Sequence, residues 1–486
     1  MPSKSARLLA SSLSFLALVA CQSIGTAERQ TGSLPGDLCG KGIVGAASKL
    51  GGLDYTTCAG TIEIDDANGV KAADLFYTAY FAKAASPQKP RPIIFIWNGG
   101  PGADSRLLQF HALGPRTLQG DVLGDNPASP LPVADLVFLD PAGTGFSRAV
   151  SEGAARQLYS TNGDLAATAQ FIQRFLKSHE REGAPVYLVG ESFGTWRAAG
   201  VAEVLIDRGQ PVAGIALVSG GIPMGEERDR ALMRALTLPN RTATALALGK
   251  LDAALTADRA RTLADAETWA RTVWYPALAH PDRLDDTSRT NVVAGLARFM
   301  GLAPSMIDPK TLWVSPKEFR TKLLGAEGKT LGIFDMRQTA PASDEKAGSA
   351  AIIAFYRQVL NYRAGQYAGI DIPELPVGND WQYDQSPITK ESLARAMAGE
   401  GPPSASQPWV LRALEKAPTM RVFVATGLYD SLNGCAANGQ AARDFPEPLA
   451  HRIEAHCYGG GHMMYEEASE APQFAKNLSS FFSKSQ

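Results

Sequence analysis

The sequence is short of net charge and of cysteine, and it has no long charged, repetitive or low-complexity tract. A formal charge of −2 over 486 residues leaves no basic surface of the kind nucleic-acid binding requires. Neither Cys-x-x-Cys nor His-Glu-x-x-His occurs, so two common zinc-holding spacings are missing, and no metal or other cofactor is expected. The apolar stretch Leu8 to Ala20 is too short to span a bilayer. What is present is a hydrophobic fraction of 45%, enough for a sizeable core. The length suits one large α/β domain with insertions, or two to three average domains.

The amino terminus reads as an export signal. Lys4 and Arg7 precede the apolar stretch, which predicts a cleaved segment over residues 1–20. It ends in Leu18-Val19-Ala20-Cys21, which resembles a bacterial lipobox, so Cys21 is expected to carry lipid and anchor the chain to a membrane. An ordinary cleaved signal with an incidental cysteine is the alternative. Gln22 stands where aspartate would favour inner-membrane retention, which points to the outer membrane, facing the periplasm; a soluble periplasmic or secreted form is the alternative. Export makes the remaining four cysteines candidates for disulfides. Three pairings exist; the two local ones, Cys39–Cys58 and Cys435–Cys457, are favoured.

Residues 21–50 read as a tether and lead-in. Thr61 to Ile64 and Leu75 to Ala82, on either side of a polar Asp65 to Gly69 turn, predict two antiparallel strands. Ile93 to Trp97 and Leu136 to Leu139 are continuous apolar runs of the kind a strand buried on both faces shows. Helical spacing over Asp164 to Lys177, the strand Val186 to Val189, a further helix and the strand Gly214 to Val218 continue the alternation. The pattern predicts an α/β fold with a mostly parallel sheet covered on both faces. Residues 51–223 form its first part and 411–486 its second, with strands at Arg421 to Gly427 and His451 to Tyr458 and a closing helix over Glu470 to Ser483. Between them, residues 224–410 are rich in helix formers and are expected to be a helical lid insertion.

At the corner between strand and helix stands Gly190-Glu191-Ser192-Phe193-Gly194. A Gly-x-Ser-x-Gly turn raises its serine above the sheet as an exposed nucleophile. Ser192 then needs an acid and a base in that chain order. Asp430 lies just beyond the Arg421 strand, at the sheet edge where such groups gather; Asp444 is the weaker choice, in an expected surface loop. His462 follows Gly459-Gly460-Gly461, a run that lets the backbone turn sharply and present an imidazole. His451 and His456 are placed on opposite faces of the preceding strand, in structural or solvated roles.

Four blocks now stand in order: Asn98-Gly99-Gly100-Pro101-Gly102, Gly143-Thr144-Gly145-Phe146-Ser147, the Ser192 motif, and Gly461-His462-Met463. Together they resemble the signature blocks of the serine carboxypeptidases. The resemblance implies an α/β-hydrolase fold and peptide substrates with a free C-terminus. It implies Ser192 as nucleophile, His462 as base and then acid, and Asp430 as its orienting partner. The backbone N–H groups of Gly100 and Phe193 would hold the oxyanion. Asn98, the Gly99 backbone and Glu191 would bind the substrate's terminal carboxylate.

Some positions depart from the family pattern. Ala103-Asp104-Ser105 stands where Cys-Ser-Ser is usual, Phe193 replaces a tyrosine, and Tyr465 stands where proline is common. The second acid that partners the residue at Glu191, a few positions before a Gly-Pro, is missing; His111 is the candidate there, before Gly114-Pro115. An esterase or acyltransferase using the same triad is the alternative chemistry, and a non-catalytic lipoprotein scaffold is the non-enzymatic one.

Overall fold

A computed structural model of the chain describes residues 39, 43–83, 90–225, 229–339, 348–398 and 400–483. The expected signal segment, Cys21 and most of the tether lie outside the described residues.

The apolar runs become the centre of a ten-stranded sheet. Its antiparallel side is β1 (Val44–Leu50), β2 (Leu53–Asp65) and β3 (Lys71–Ala82). Its parallel part is β4 (Ile93–Trp97), β5 (Asp135–Leu139), β6 (Val186–Glu191), β7 (Gly214–Val218), β8 (Arg421–Gly427) and β9 (Ile453–Tyr458). Across the sheet the order is β1-β2-β3-β5-β4-β6-β7-β8-β9, with the short strand Arg148–Ala149 paired to β3. Strands β4 to β7 are buried along their whole length, which is why their sequences are continuously apolar. Successive residues still divide between the two faces. Ile93, Phe95 and Trp97 pack with α1 (Thr161–Ser178) and α2 (Gly194–Asp207), whereas Ile94 and Ile96 join Phe481 and Phe482 of the closing helix Ala471–Ser483.

Helix α1 starts where its cap dictates: Ser160 accepts from the Gly163 N–H, satisfying a first-turn donor. The sheet also begins earlier than the sequence reading placed it. Residues 44–50 are not tether but strand β1, turned back onto β2 by Gly51 and Gly52, both at positive φ. A disulfide, Cys39–Cys58, fastens this edge, and Cys435–Cys457 joins the helix Cys435–Arg443 to β9. Both are the local pairings expected.

The segment 224–410 is largely helical but has two parts. Its first part builds a core of its own around Trp274, Leu296, Phe299 and Phe319. Its later part returns to the sheet, where Phe355, Tyr356, Tyr362 and Tyr367 pack against Phe76, Phe110 and Phe146. Only the first part has the separateness expected of a lid. His451 is likewise displaced from its expected strand: it caps the short helix Glu447–Ala450, exposed and 3.0 Å from Glu447, while β9 starts at Ile453 and carries only His456, stacked on Phe423. Asp444 is exposed, as expected of a surface position.

Candidate active site

The C-terminal ends of the parallel strands meet on one side of the sheet. There β4 leads into Asn98, β6 into Ser192, β8 into the Asp430 loop and β9 into His462. Strand order reverses around β4, the position where α/β sheets open a crevice.

Ser192 sits on the turn between β6 and α2 with φ at 57°, a left-handed conformation that is uncommon for a non-glycine residue. Neighbouring hydrogen bonds hold it there. Its N–H donates to the Val218 carbonyl at 2.9 Å, and its carbonyl accepts from the Thr195 N–H at 3.0 Å and the Thr195 hydroxyl at 2.8 Å. The flanking glycines leave room for the turn: a Cβ on Gly190 would lie 1.9 Å from the Gly194 oxygen, and one on Gly194 would lie 3.0 Å from the Asn98 oxygen. Gly99 presses onto the same turn, since a Cβ there would come within 2.5 Å of the Phe193 nitrogen. The first glycine block is thus laid against the amides that follow Ser192.

The acid and base are brought together. His462 Nδ1 lies 2.9 Å from Asp430 Oδ2, and both residues are almost fully buried. Asp430 is fixed by two further donors, the Leu432 N–H at 2.8 Å and Asn433 Nδ2 at 3.1 Å. His462 is held through its backbone: its carbonyl accepts from the Ser219 hydroxyl, and its N–H donates to the Phe334 carbonyl at 2.6 Å. Phe334 belongs to the insertion, and its ring centre is 5.2 Å from the imidazole. Burial pushes the His462 pKa down, but the charge and hydrogen bond of Asp430, with Glu191 behind them, outweigh it and leave it raised.

Glu191 is 2% exposed, yet it is a carboxyl group. One of its oxygens, Oε2, accepts from Asn98 Nδ2 and from the Tyr465 hydroxyl, the latter at 3.0 Å. Burial lifts its pKa to about 7, against the lowering effects of His462 and Tyr465. Asn98 cannot swing away, because its Oδ1 accepts from the Leu108 N–H at 3.1 Å and its carbonyl accepts from Arg197 Nη1 at 2.9 Å. Arg197, itself fully buried, is paired with Asp164 at 2.6 Å. Nor does His111 partner Glu191: its Nδ1 lies 2.8 Å from Glu466 Oε1. The hydroxyl that meets Glu191 comes instead from Tyr465, the residue noted for replacing a proline. Asn433, Ser219, Arg197 and Phe334 were not singled out from the sequence, and Tyr465 was noted there without a role.

Among the described residues no group of three or more His, Cys, Asp or Glu side chains could hold a metal ion, and no helix is long and apolar enough to cross a membrane.

Residues 52–215 match the family model for serine carboxypeptidases, peptidase S10. Among curated proteins, serine carboxypeptidase-like 36 of Arabidopsis thaliana is 32% identical over 145 residues, covering 28% of this chain and 29% of the relative. The pheromone-processing carboxypeptidase kex1 of Aspergillus oryzae is 31% identical over 153 residues, 31% of this chain and 23% of the relative. The chain therefore spans less than a third of these relatives' length. The crystal structure of the Kex1 prohormone-processing carboxypeptidase of Saccharomyces cerevisiae covers 87% of this chain and 91% of its own, with a TM-score of 0.51 and 14% identity. The body of the protein has the α/β-hydrolase fold, and over residues 52–215 the chain is akin to the serine carboxypeptidases.

Proposed function

We propose that this protein is a serine carboxypeptidase that releases residues from the free C-terminus of peptides through an acyl-enzyme. Ser192 Oγ attacks the scissile carbonyl carbon while His462 Nε2 takes its proton. Asp430, on the other ring nitrogen, holds the imidazole and stabilises its cation. The N–H groups of Gly100 and Phe193 receive the oxyanion, each such donor contributing roughly 3 kcal/mol to the transition state. Collapse breaks the C–N bond, and His462 returns the proton to the leaving amine. Water, activated by the same imidazole, then hydrolyses the ester to Ser192.

The observation that carries the exopeptidase reading is the buried carboxyl of Glu191. A general hydrolase has no use for a carboxyl group held by Asn98 and Tyr465 beside its nucleophile. With its pKa near 7, Glu191 keeps its proton under acidic conditions, and a protonated carboxyl can share that proton with a substrate carboxylate. Two ionised carboxylates would repel. The test compares a peptide with its C-terminal amide by mass spectrometry at pH 5 and pH 7. Residues should leave singly from the acid, with a lower KM at pH 5 than at pH 7. Equal hydrolysis of the amide would sink the reading and favour esterase or acyltransferase chemistry on the same triad. No labelling of Ser192 by a serine-directed phosphonate would favour the scaffold reading.

Export to the periplasm, anchored by lipid on Cys21, is part of the same proposal. The two disulfides support it, since such bonds persist in oxidising compartments. Cys21→Ala should move the protein from the membrane fraction to the soluble one.

A further inference from the structure

On the carboxypeptidase reading, on which this inference rests, Asn98 and the Gly99 N–H meet the substrate's terminal carboxylate. The peptide that joins these two residues is held by Arg197, in the first turn of α2. The Arg197 guanidinium is fully buried. Its Nε donates to Asp164 Oδ2 of α1 at 2.6 Å, and its Nη1 donates to the Asn98 carbonyl at 2.9 Å. Nη2 is buried with no partner among the described residues, so the fork is fixed by those two contacts. Among the described residues no other donor reaches the Asn98 carbonyl.

The peptide between Asn98 and Gly99 is trans, the one cis bond among the described residues being Gly100–Pro101. In a planar trans peptide the C=O and the N–H point to opposite sides. With its C=O turned to Arg197, this peptide turns the Gly99 N–H away from Arg197. Gly99 is buried, yet its N–H has no acceptor among the described residues. A buried N–H left unpaired is rare, and an acceptor brought to it recovers the lost hydrogen bond. A carboxylate oxygen is the strongest such acceptor a peptide substrate offers. The planar fork of arginine suits this task, because it holds two acceptors in a fixed relation, which a single ammonium does not. Arg197 touches neither the substrate's position nor Ser192 Oγ; it acts through the peptide it holds.

We propose that Arg197, fixed by Asp164, is a positioning residue for recognition of the free C-terminus, holding the Asn98–Gly99 peptide so that the Gly99 N–H faces the substrate carboxylate. The test uses the full chain, one peptide with a free C-terminus, and p-nitrophenyl acetate, an ester that has no carboxylate. Wild type is compared with Arg197→Lys and with the double variant Arg197→Gln, Asp164→Asn. The double variant removes both members of the ion pair, so neither charge is left buried alone. Its KM for the peptide should rise by about tenfold, the equivalent of ~1.4 kcal/mol, while kcat changes much less. Arg197→Lys should raise KM by a smaller factor, since one ammonium replaces the fork. The ratio of kcat/KM for peptide to that for ester should fall in the same order. That ratio is taken within one preparation, so it does not depend on how much of a variant folds. A role in folding alone would lower both substrates together and leave the ratio at its wild-type value, which overturns the proposal. A peptide KM unmoved in both variants, or loss of both activities in both, overturns it too. These outcomes leave wild-type peptide hydrolysis intact and touch this inference alone. Wild-type protein that hydrolyses the ester but releases no residue from the peptide overturns the carboxypeptidase reading and this inference with it.

Discussion

Tyr465→Phe removes one hydroxyl and probes the most unusual contact of the site. That hydroxyl donates to Glu191 Oε2 at 3.0 Å, and both residues are buried. A hydrogen bond to a charged group contributes ~1.5–3 kcal/mol, and one pKa unit corresponds to about 1.36 kcal/mol. The bond favours the ionised form of Glu191, so its loss should raise the Glu191 pKa from about 7 by roughly one unit or more. If a protonated Glu191 binds the substrate carboxylate, KM in the wild type climbs as pH rises through about 7. In Tyr465→Phe the climb should move up by about one unit, while kcat, governed by His462 and Asp430, changes much less. Stability supplies a second readout. A carboxyl whose folded pKa is raised stabilises the fold fully below its unfolded value, and that contribution is lost as pH rises through the folded value. For Glu191 the window runs from 4.5 to about 7 and amounts to ~3 kcal/mol. The variant should extend that loss to higher pH in urea titrations. A KM profile that stays in place, or moves to lower pH, would refute the assignment of Tyr465 as donor to an ionised Glu191.

Three further variants test the rest of the site. Asp430→Asn should keep the fold and lower kcat by about 10⁴, through the wrong imidazole tautomer; a loss under tenfold in steady-state assays would shift the acid role elsewhere. Gly99→Ala puts a Cβ 2.5 Å from the Phe193 nitrogen, a backbone atom. It should destabilise by ~1–3 kcal/mol and cost activity beyond that, seen as slow phosphonate labelling of the protein that remains folded. Cys435→Ser with Cys457→Ser opens a link with a sequence separation of 22 and should cost ~3 kcal/mol in denaturant melts. Since those residues flank the Asp430 and His462 loops, kcat should fall even at temperatures where the protein stays folded.

The parallel half of the sheet was legible in the sequence because strands covered on both faces cannot hide their composition. The apolar runs from Ile93–Trp97 to Arg421–Gly427 are five of the six parallel strands; the sixth, Ile453–Tyr458, is a mixed and partly exposed strand at the sheet edge. Placing the strand ends also placed Ser192, Asp430 and His462 at one edge. Strand β1 gave no comparable signal. Its residues, Val44-Gly45-Ala46-Ala47-Ser48-Lys49-Leu50, are mostly small, and they alternate between half-buried and exposed. Only pairing with β2 makes them a strand, and that pairing is long-range information that composition does not carry. The later half of the insertion was misread for a related reason. A helix-forming run over residues 349–362 looks the same whether it covers a lid or the sheet; Tyr356 and Tyr362 decide it by meeting Phe76 and Phe146.

The same distinction explains the partner of Glu191. His111 drew notice because it occupies the local slot from which the family's second acid would come. The contact that matters crosses 274 residues of sequence, from Tyr465. Yet His111 is not idle in this geometry. Its contact with Glu466, 2.8 Å from Nδ1 to Oε1, joins the short helical segment Leu108–Leu113 to the turn Met464–Glu466. Tyr465 is the middle residue of that turn, and Leu108 is the residue whose N–H fixes Asn98. The pair therefore ties together the two segments that deliver donors to Glu191. His111 thus supports the segment whose hydroxyl meets Glu191, without meeting Glu191 itself. A motif read along the chain cannot record a contact made across so long a separation.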